Sequence, residues 1–600
     1  MTSPISHVTE ETQYGATFDW RLVRRFLLLA KPYRKWLLAA FAMPPLLMLS
    51  QLAQPLLLRQ AVDKHLLTGQ LEGFHTIVIA YAFCLVGQTL FSYLQYLFNT
   101  LLGQRIIRDL RRQLFTHLLS LDAAFFATNP SGRLTNRLTN DTEAVHQMVS
   151  AGMVNLIGDL LLILGMAVSM LLLAPGLTLA TLAAIPPIVL TSNFVMRRLR
   201  TAQRQNAIQQ SRMASRLSEE IEGHLVVRLF SRQAHNHREF SRENEAYYQS
   251  ATTSNFWEAF QISFMEAAAS LLIALLFVLG GSVQGSEAIT IGTLVAFIDY
   301  IRRIFSPIRD LSNKLTTLQA AMTALERIFH LQDTQPAIQS APPETQPSTP
   351  TGKRGAVVFD NVSFGYGPEL VLHDIGLRVA AGEKLAVVGP TGSGKSSLIK
   401  LLNRTHDPRS GRVILDGVDV SHIPLSRLRR LVGMVQQDTF LFAGSIAENI
   451  GLGAEGIDRK KIEEAVERSG AIDFIRHLPH GLDTTLHQRG GNLSAGQRQL
   501  LGLTRIFAFD PAIMVLDEAT SSVDTISEEL IRKALHALLA NRTAILVAHR
   551  LSTIGDADRI VVLSRGRVAE EGTFAELMAA NGLFSRLYTL QFQNGTHIPA

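Results

Sequence analysis

Six apolar stretches of roughly 20 residues or more recur before residue 320, each long enough, at about 1.5 Å per residue, to cross about 30 Å of hydrocarbon. They fall near 36–58, 74–99, 147–174, 178–196, 259–283 and 288–308, with the third and fourth divided only by the Ala174-Pro175-Gly176 turn. Such a pattern predicts an all-α membrane domain of six spanning helices. An even number of crossings returns both ends of the domain to one side.

Orientation follows from the cations. Arg and Lys crowd the stretches from Lys31 to Lys35, Arg105 to Arg112 and Arg197 to Arg242, whereas the opposite loops hold only Arg59 and Lys64 or no basic residue. This bias predicts that the crowded side, and with it the N-terminus, is cytoplasmic. It also accounts for the net charge of +6 in a chain that is 47% hydrophobic and only 18% charged, so no nucleic-acid partner is expected. The lone Cys84 sits in an apolar run and excludes an intrachain disulfide.

The opening FDWRLVRRFLLLAKPYRKW has an apolar centre too short to span and no small-residue cleavage site, and predicts an interfacial helix leading into the first crossing. Two charged excursions, about 100–146 and 197–255, keep helical periodicity, so the spans are expected to continue past the bilayer. Their tips, LDAAFFATNPSGRLTNRLTND and EEIEGHLVVRLFSRQ, each offer a short apolar element suited to docking on another domain, the first broken at Asn129-Pro130-Ser131-Gly132. Asp159 and Glu266 lie within the third and fifth apolar runs. A carboxylate in hydrocarbon is costly, so both are expected to face a pathway and to favour cationic amphipathic solutes.

Residues 1–330 therefore read as the membrane domain. A Pro-, Thr- and Gln-rich stretch, DTQPAIQSAPPETQPSTPTGKRG, marks a linker at 331–355. Residues 356–600 alternate short β-branched runs such as KLAVVGP, AIMVLDEA and RTAILVAH with amphipathic segments, which predicts an α/β domain around buried strands.

Within that domain GPTGSGKSS follows the strand-like LAVVG and precedes SLIKLL, the context required of a phosphate-binding G-x-x-x-x-G-K-[ST] loop. Gly389, Gly392 and Gly394 would let backbone N–H groups approach phosphates. Lys395 would contact the β and γ phosphates, and Ser396 a Mg²⁺ ion. Downstream, AIMVL ends in Asp517 and Glu518, suited to a metal-positioning carboxylate and a base for the attacking water; His549 ends TAILVAH and would orient that water.

The series GPTGSGKSS, VQQD, LSAGQ, LDEATSSVD and AHRLST resembles the nucleotide-binding domain of ABC transporters, and the six apolar runs ahead of it resemble the membrane domain of type IV ABC exporters. Together with NRLTND, the wording is similar to bacterial multidrug half-transporters of the MdlB kind. The resemblance implies ATP and Mg²⁺ as ligands and a catalytic set of Glu518, His549 and Gln437. Gly389, Thr391, Gly392, Ser393, Gly394, Lys395, Ser396 and Ser397 would cradle the phosphates, with Tyr366 stacked on adenine. Mg²⁺ would be held by Ser396, Gln437 and Asp517. In this family the cradle of one subunit faces the signature motif of another, so Ser494, Gly496 and Gln497 would serve a partner's ATP, and Asp524 would cross between the two domains. Two positions depart from the family pattern: Ala495 replaces a signature glycine, and Gln488 replaces a glutamate that contacts the opposite chain.

These implications assemble into ATP-driven export of amphipathic or hydrophobic solutes, multidrug or lipid-like, across a bacterial inner membrane, by one half of a dimer in contact with membrane lipid. Ala495 and Gln488 favour a heterodimer with two unequal ATP sites over a homodimer. A lipid flippase, a peptide exporter and an importer with the exporter fold share these features. A DNA-associated ABC ATPase shares the ATP motifs but not the six runs, and an ATP-gated channel would conduct without ATP turnover.

Overall fold

The computed structural model describes residues 19–70, 72–282, 290–342, 355–435, 439–517, 525–540, 542–547, 555 and 557–590. The chain forms two compact units: Met1–Leu119 with Ser131–Thr334, and Ser120–Pro130 with Gln335–Ala600.

The first unit is helical. An amphipathic helix, Trp20–Ala30, is capped at its start by the Asp19 carboxylate and buries Val23, Phe26 and Ala30 on one face; a short turn at Lys31–Tyr33 joins it to the helix Arg34–Ala61. The helix stands where the sequence predicts the entry to the first span. The spans are far longer than a bilayer needs: Phe74–Ser120 has 47 residues, Pro175–Glu222 has 48, Gln233–Ser282 has 50 and Ile291–Asp333 has 43. At about 1.5 Å per residue each reaches well beyond the hydrocarbon, as the charged helical excursions predict. Between Val154–Leu173 and Pro175–Glu222 the single extended residue Ala174 makes the expected turn.

Five helices among the described residues are long and apolar enough to cross a membrane. The sixth expected crossing falls on Ile291–Asp333, whose apolar stretch is interrupted by Asp299, Arg302 and Arg303. Packing supplies what hydropathy lacks. Ala296, Phe297, Tyr300 and Ile301 are fully buried, the Tyr300 hydroxyl donates to Leu52 O, and Arg303 bonds both Asp299 and Gln54. Polar side chains in such helices survive by bonding to one another away from lipid. Small residues bring two helices close: a Cβ on Gly165 would lie 2.8 Å from Leu52 Cδ1, and one on Gly158 3.2 Å from Pro44 Cβ.

The tips expected to dock are short helices. Ala123–Thr128 starts at Asp122, whose carboxylate accepts from Phe125 N and from Ala337 N, and ends at extended Asn129 before Pro130; His224–Leu229 follows Gly223 and leaves Leu225, Val226 and Leu229 exposed on the single chain.

The second unit carries a six-stranded sheet in the order Arg567–Gly572, Arg559–Ser564, Lys384–Val388, Thr543–Val547, Ile513–Asp517, Val432–Val435, parallel except for its first strand. The four central strands are almost entirely buried, which explains their continuous apolar runs. A second, antiparallel sheet runs Leu372–Val379, Val357–Phe364, Ser410–Leu415, Val418–Asp419. Val357, Phe359, Leu372 and Leu377 from it share one core with Leu385, Val387 and the helix Lys395–Leu402.

Candidate functional site

Strand register brings together along one edge the strand ends that precede the candidate residues. Val547 pairs with Val387 on one side and with Asp517 on the other, and Val435 pairs with Leu516, one row earlier. Neighbouring strands therefore end on the same side at Val388, Val435, Asp517 and Val547, which the sequence follows with the glycine loop, Gln437, Glu518 and Asp524, and His549 respectively. The carboxyl ends of parallel strands are where such sheets bind ligands. Gln437, Glu518, Asp524 and His549 themselves lie outside the described residues.

Two glycines of the loop have no room for a side chain. A Cβ on Gly389 would lie 2.2 Å from Leu563 O, and one on Gly394 2.4 Å from Leu372 Cδ2; Gly392 and Gly394 also have φ of +83° and +104°. Gly394 then starts the helix Lys395–Leu402, with Ser396 exposed in its first turn. Lys395 is 7% exposed and donates to Gly389 O at 2.7 Å and Pro390 O at 3.1 Å. Ser393 is buried, and its hydroxyl has no hydrogen-bond partner among the described residues. A cradle of crowded glycines, a loop-bound ammonium and an orphaned hydroxyl fits a phosphate chain, which brings acceptor oxygens to all of them.

Tyr366 remains 54% exposed at the mouth of this loop. Its hydroxyl shares a 3.1 Å hydrogen bond with Ser397 Oγ, and its ring meets Phe364 and His406 edge-on at 4.9 and 5.3 Å, with Lys400 Nζ 4.9 Å from its centre. Lys400 and His406 were not among the expected site residues; position along the Lys395–Leu402 helix and just past it gives no signal until the fold brings them to the tyrosine. Burial, then the Lys400 ammonium, hold the His406 imidazole below its ordinary range.

In the signature stretch, Ser494 caps the helix Ala495–Phe509: its hydroxyl accepts from Gln497 N, and Gln497 Oε1 accepts from Ser494 N. The cap uses a lone pair and leaves the O–H proton free to donate outward. Ser494 and Ala495 are exposed, Gly496 is buried, and Gln488 is exposed in a short turn with Arg489 at φ +56°.

In the membrane unit Asp159 lines a cavity, but the expectation that it favours cations needs correcting. Asp159 is ion-paired with Lys314, both side chains 22% exposed, so it offers no uncompensated charge to attract a cation. Lys314 lies beyond the last apolar run and was missed for that reason. Glu266 is exposed on the single chain.

The same combination of folds and motifs recurs in known proteins. The family model for the ABC transporter transmembrane region matches residues 42–308, and that for the ABC transporter domain matches 372–521. The chain is 34% identical over 581 residues to the uncharacterized ABC transporter ATP-binding protein YknV of Bacillus subtilis (strain 168), covering 96% of this chain and 95% of that one. It is 33% identical over 581 residues to YgaD of the same organism, provisionally named a multidrug export ATP-binding/permease protein, covering 96% and 100%. Among solved structures, a bacterial Atm1-family ABC exporter with ATP bound superposes with a TM-score of 0.76 at 28% identity, covering 94% of this chain and 99% of that one. The chain belongs to the ABC transporters, as an exporter-fold half-transporter whose nucleotide-binding ATPase domain is coupled to a multi-pass membrane domain. A half-transporter has one ATPase domain per chain and works as a dimer.

Proposed function

We propose that this chain exports amphipathic or hydrophobic solutes, multidrug or lipid-like, across a bacterial inner membrane, with its N-terminus and ATPase domain in the cytoplasm. The observation that carries the reading is the row Val387, Val547, Asp517. The phosphate loop and the segments that carry Glu518 and His549 follow adjacent strand ends in the sequence, and the other unit has, among the described residues, five helices able to span. The multidrug naming of YgaD supports the substrate class.

In this reading Lys395 and the backbone of Gly389, Thr391, Gly392, Ser393 and Gly394 hold the β and γ phosphates, helped by Ser397, while Tyr366 stacks on the base. Ser396, Asp517 and Gln437 hold Mg²⁺, which neutralises charge on the phosphates when bound. Glu518 accepts a proton from the attacking water and His549 orients it. Ser494, Gly496 and Gln497 face a partner's ATP, and Asp524 reaches across the dimer. ATP binding draws the two ATPase domains together and hydrolysis releases them, which switches the membrane domains between two states.

We favour a heterodimer. Ala495 places a methyl group at the exposed first turn of the signature helix, and Gln488 removes a charge, so the site completed by this signature differs from the one built on this chain's own cradle. Reconstituted vesicles test the function: ATP should drive uptake of a fluorescent amphiphile into inside-out vesicles, and uptake that continues with a non-hydrolysable ATP analogue would overturn it.

A further inference from the structure

The membrane unit holds a half-open cavity of about 290 Å³ whose wall is both apolar and polar. Pro44, Leu47, Met48 and Leu162 give the wall apolar surface; Gln95, Asn99, Asn155 and the Lys314–Asp159 pair are among its polar groups. Gln95 Nε2 and Asn99 Nδ2 both donate to Asn155 Oδ1, at 2.9 and 3.3 Å. That arrangement satisfies Asn155 and orients Asn99 so that its own Oδ1 has no partner among the described residues, although Asn99 is only 1% exposed. A buried carbonyl acceptor without a donor calls for a ligand N–H or O–H. Next to it, Lys314 gives one of its three N–H groups to Asp159, and the ammonium retains two more for an incoming acceptor.

We propose that this cavity binds the dipolar head of the exported amphiphile: a primary ammonium that donates to Asn99 Oδ1, joined to an anionic oxygen, of phosphate or carboxylate, that accepts from Lys314. The apolar lining residues, Leu47 and Met48 among them, receive the start of the tail. A simple cation brings no acceptor to the remaining Lys314 N–H groups. A simple anion leaves Asn99 Oδ1 unmet and faces Asp159. A head bearing both charges matches a wall that is itself a neutral ion pair beside an open acceptor. The inference rests on the transporter reading and names the solute class for it.

The test uses the complete transporter, this chain with its partner subunit, in nanodiscs of phosphatidylglycerol, a lipid without ammonium groups. Binding of four amphiphiles of equal tail length is measured by equilibrium dialysis. Dodecylphosphoethanolamine or S-dodecylcysteine should bind at least tenfold more tightly than dodecylphosphocholine, which lacks N–H donors, and than dodecyltrimethylammonium. Whichever of the first two is preferred assigns the head to a lipid-like or an amino-acid-like source. Asn99→Leu and Lys314→Met should each abolish the preference. Asn99→Asp should raise affinity for dodecyltrimethylammonium, a gain that a misfolded protein cannot produce. Equal binding of all four probes, or a preference unchanged in Asn99→Leu and Lys314→Met, overturns the proposal. If the preference holds but ATP turnover does not respond to the bound probe, the cavity stands and the transporter reading fails. If amphiphiles stimulate turnover equally with and without Asn99, the transporter reading stands and the cavity proposal fails.

Discussion

Lys395 donates from its buried ammonium to the carbonyl oxygen of Gly389, 2.7 Å away at the opposite end of the same loop. The bond closes the glycine loop on itself and stores a charge-assisted donor where a phosphate oxygen is expected. A nucleotide then exchanges one acceptor for a better one without dragging a lysine out of water. Lys395→Ala should therefore weaken nucleotide binding, and at about 1.5–3 kcal/mol for a hydrogen bond to a charged group the loss is roughly tenfold to a hundredfold in affinity. Titration with a fluorescent nucleotide measures it, and unchanged affinity would remove Lys395 from the phosphates.

Glu518→Gln separates binding from turnover. The glutamine keeps shape and hydrogen bonding but takes no proton, and loss of a general base costs about 10²- to 10⁴-fold in rate. ATP affinity should stay within a factor of about three while hydrolysis at the site built on this chain's cradle nearly stops. Turnover at the wild-type rate would assign the base elsewhere.

How much of this was legible in the sequence depends on how far apart the cooperating residues lie. The phosphate loop could be read because its glycines, Lys395 and Ser396 are contiguous and the chemistry fixes their spacing. The Asp517 strand could be read because its burial on both faces makes it continuously apolar. By contrast, Asp159 and Lys314 are separated by 155 residues, and the lysine stands outside every apolar run, so the acid alone suggested a site for cations. The helix Ile291–Asp333 was legible by its apolar stretch, whereas the bond from its Arg303, already paired with Asp299, to Gln54, 249 residues earlier, was not. The resemblance to half-transporters implies a role for Ser494 at a partner's ATP; its reciprocal bonds with Gln497 could be seen only in the folded helix.

Helix closure at the far end of the membrane unit depends on Asp63. Its carboxylate accepts from Gly292 N at 2.8 Å and from the Thr290 hydroxyl, capping the helix Ile291–Asp333 from another helix. Asp63→Ala should cost about 1–2 kcal/mol, the usual range for a lost cap. Gly292→Ala should cost more, since its Cβ would lie 2.6 Å from both Arg59 O and the Asp63 carboxylate. Thermal unfolding in detergent ranks the two, and equal stability to wild type in both would show that the contact carries no weight.

His406 makes the soluble unit sensitive to acid. Its imidazole is held below the ordinary value of 6.5 by burial and then by Lys400. The unfolded chain takes up the proton more readily than the folded one. Stability is therefore fully present above about pH 6.5 and is lost as pH falls from there toward the lower folded value. His406→Phe keeps the edge contacts with Phe364 and Tyr366 while removing the titration, and should flatten the fall in thermal midpoint across that window. An identical slope in the variant would place the acid sensitivity in other groups.

The signature helix gives the most direct test of dimer asymmetry. Ser494 spends a lone pair on its own helix and keeps its proton for a partner's ATP, so Ser494→Ala should lose about 1 kcal/mol of capping within this chain while impairing hydrolysis in the other. Glu518→Gln impairs the site on this chain's own cradle. In a heterodimer whose active site is that cradle, Glu518→Gln should abolish turnover and Ser494→Ala should leave most of it, because the site it damages contributes little. In a homodimer both substitutions strike both sites, and Ser494→Ala should be severe as well. Ala495 sits at the first position of a regular helix, where alanine fits without strain, so the geometry alone accommodates either assembly. Expressing the chain alone completes the comparison: a stable two-chain ATPase of this subunit that responds to substrate would eliminate the heterodimer, and recovery of activity only with a second, different half-transporter would eliminate the symmetric pair.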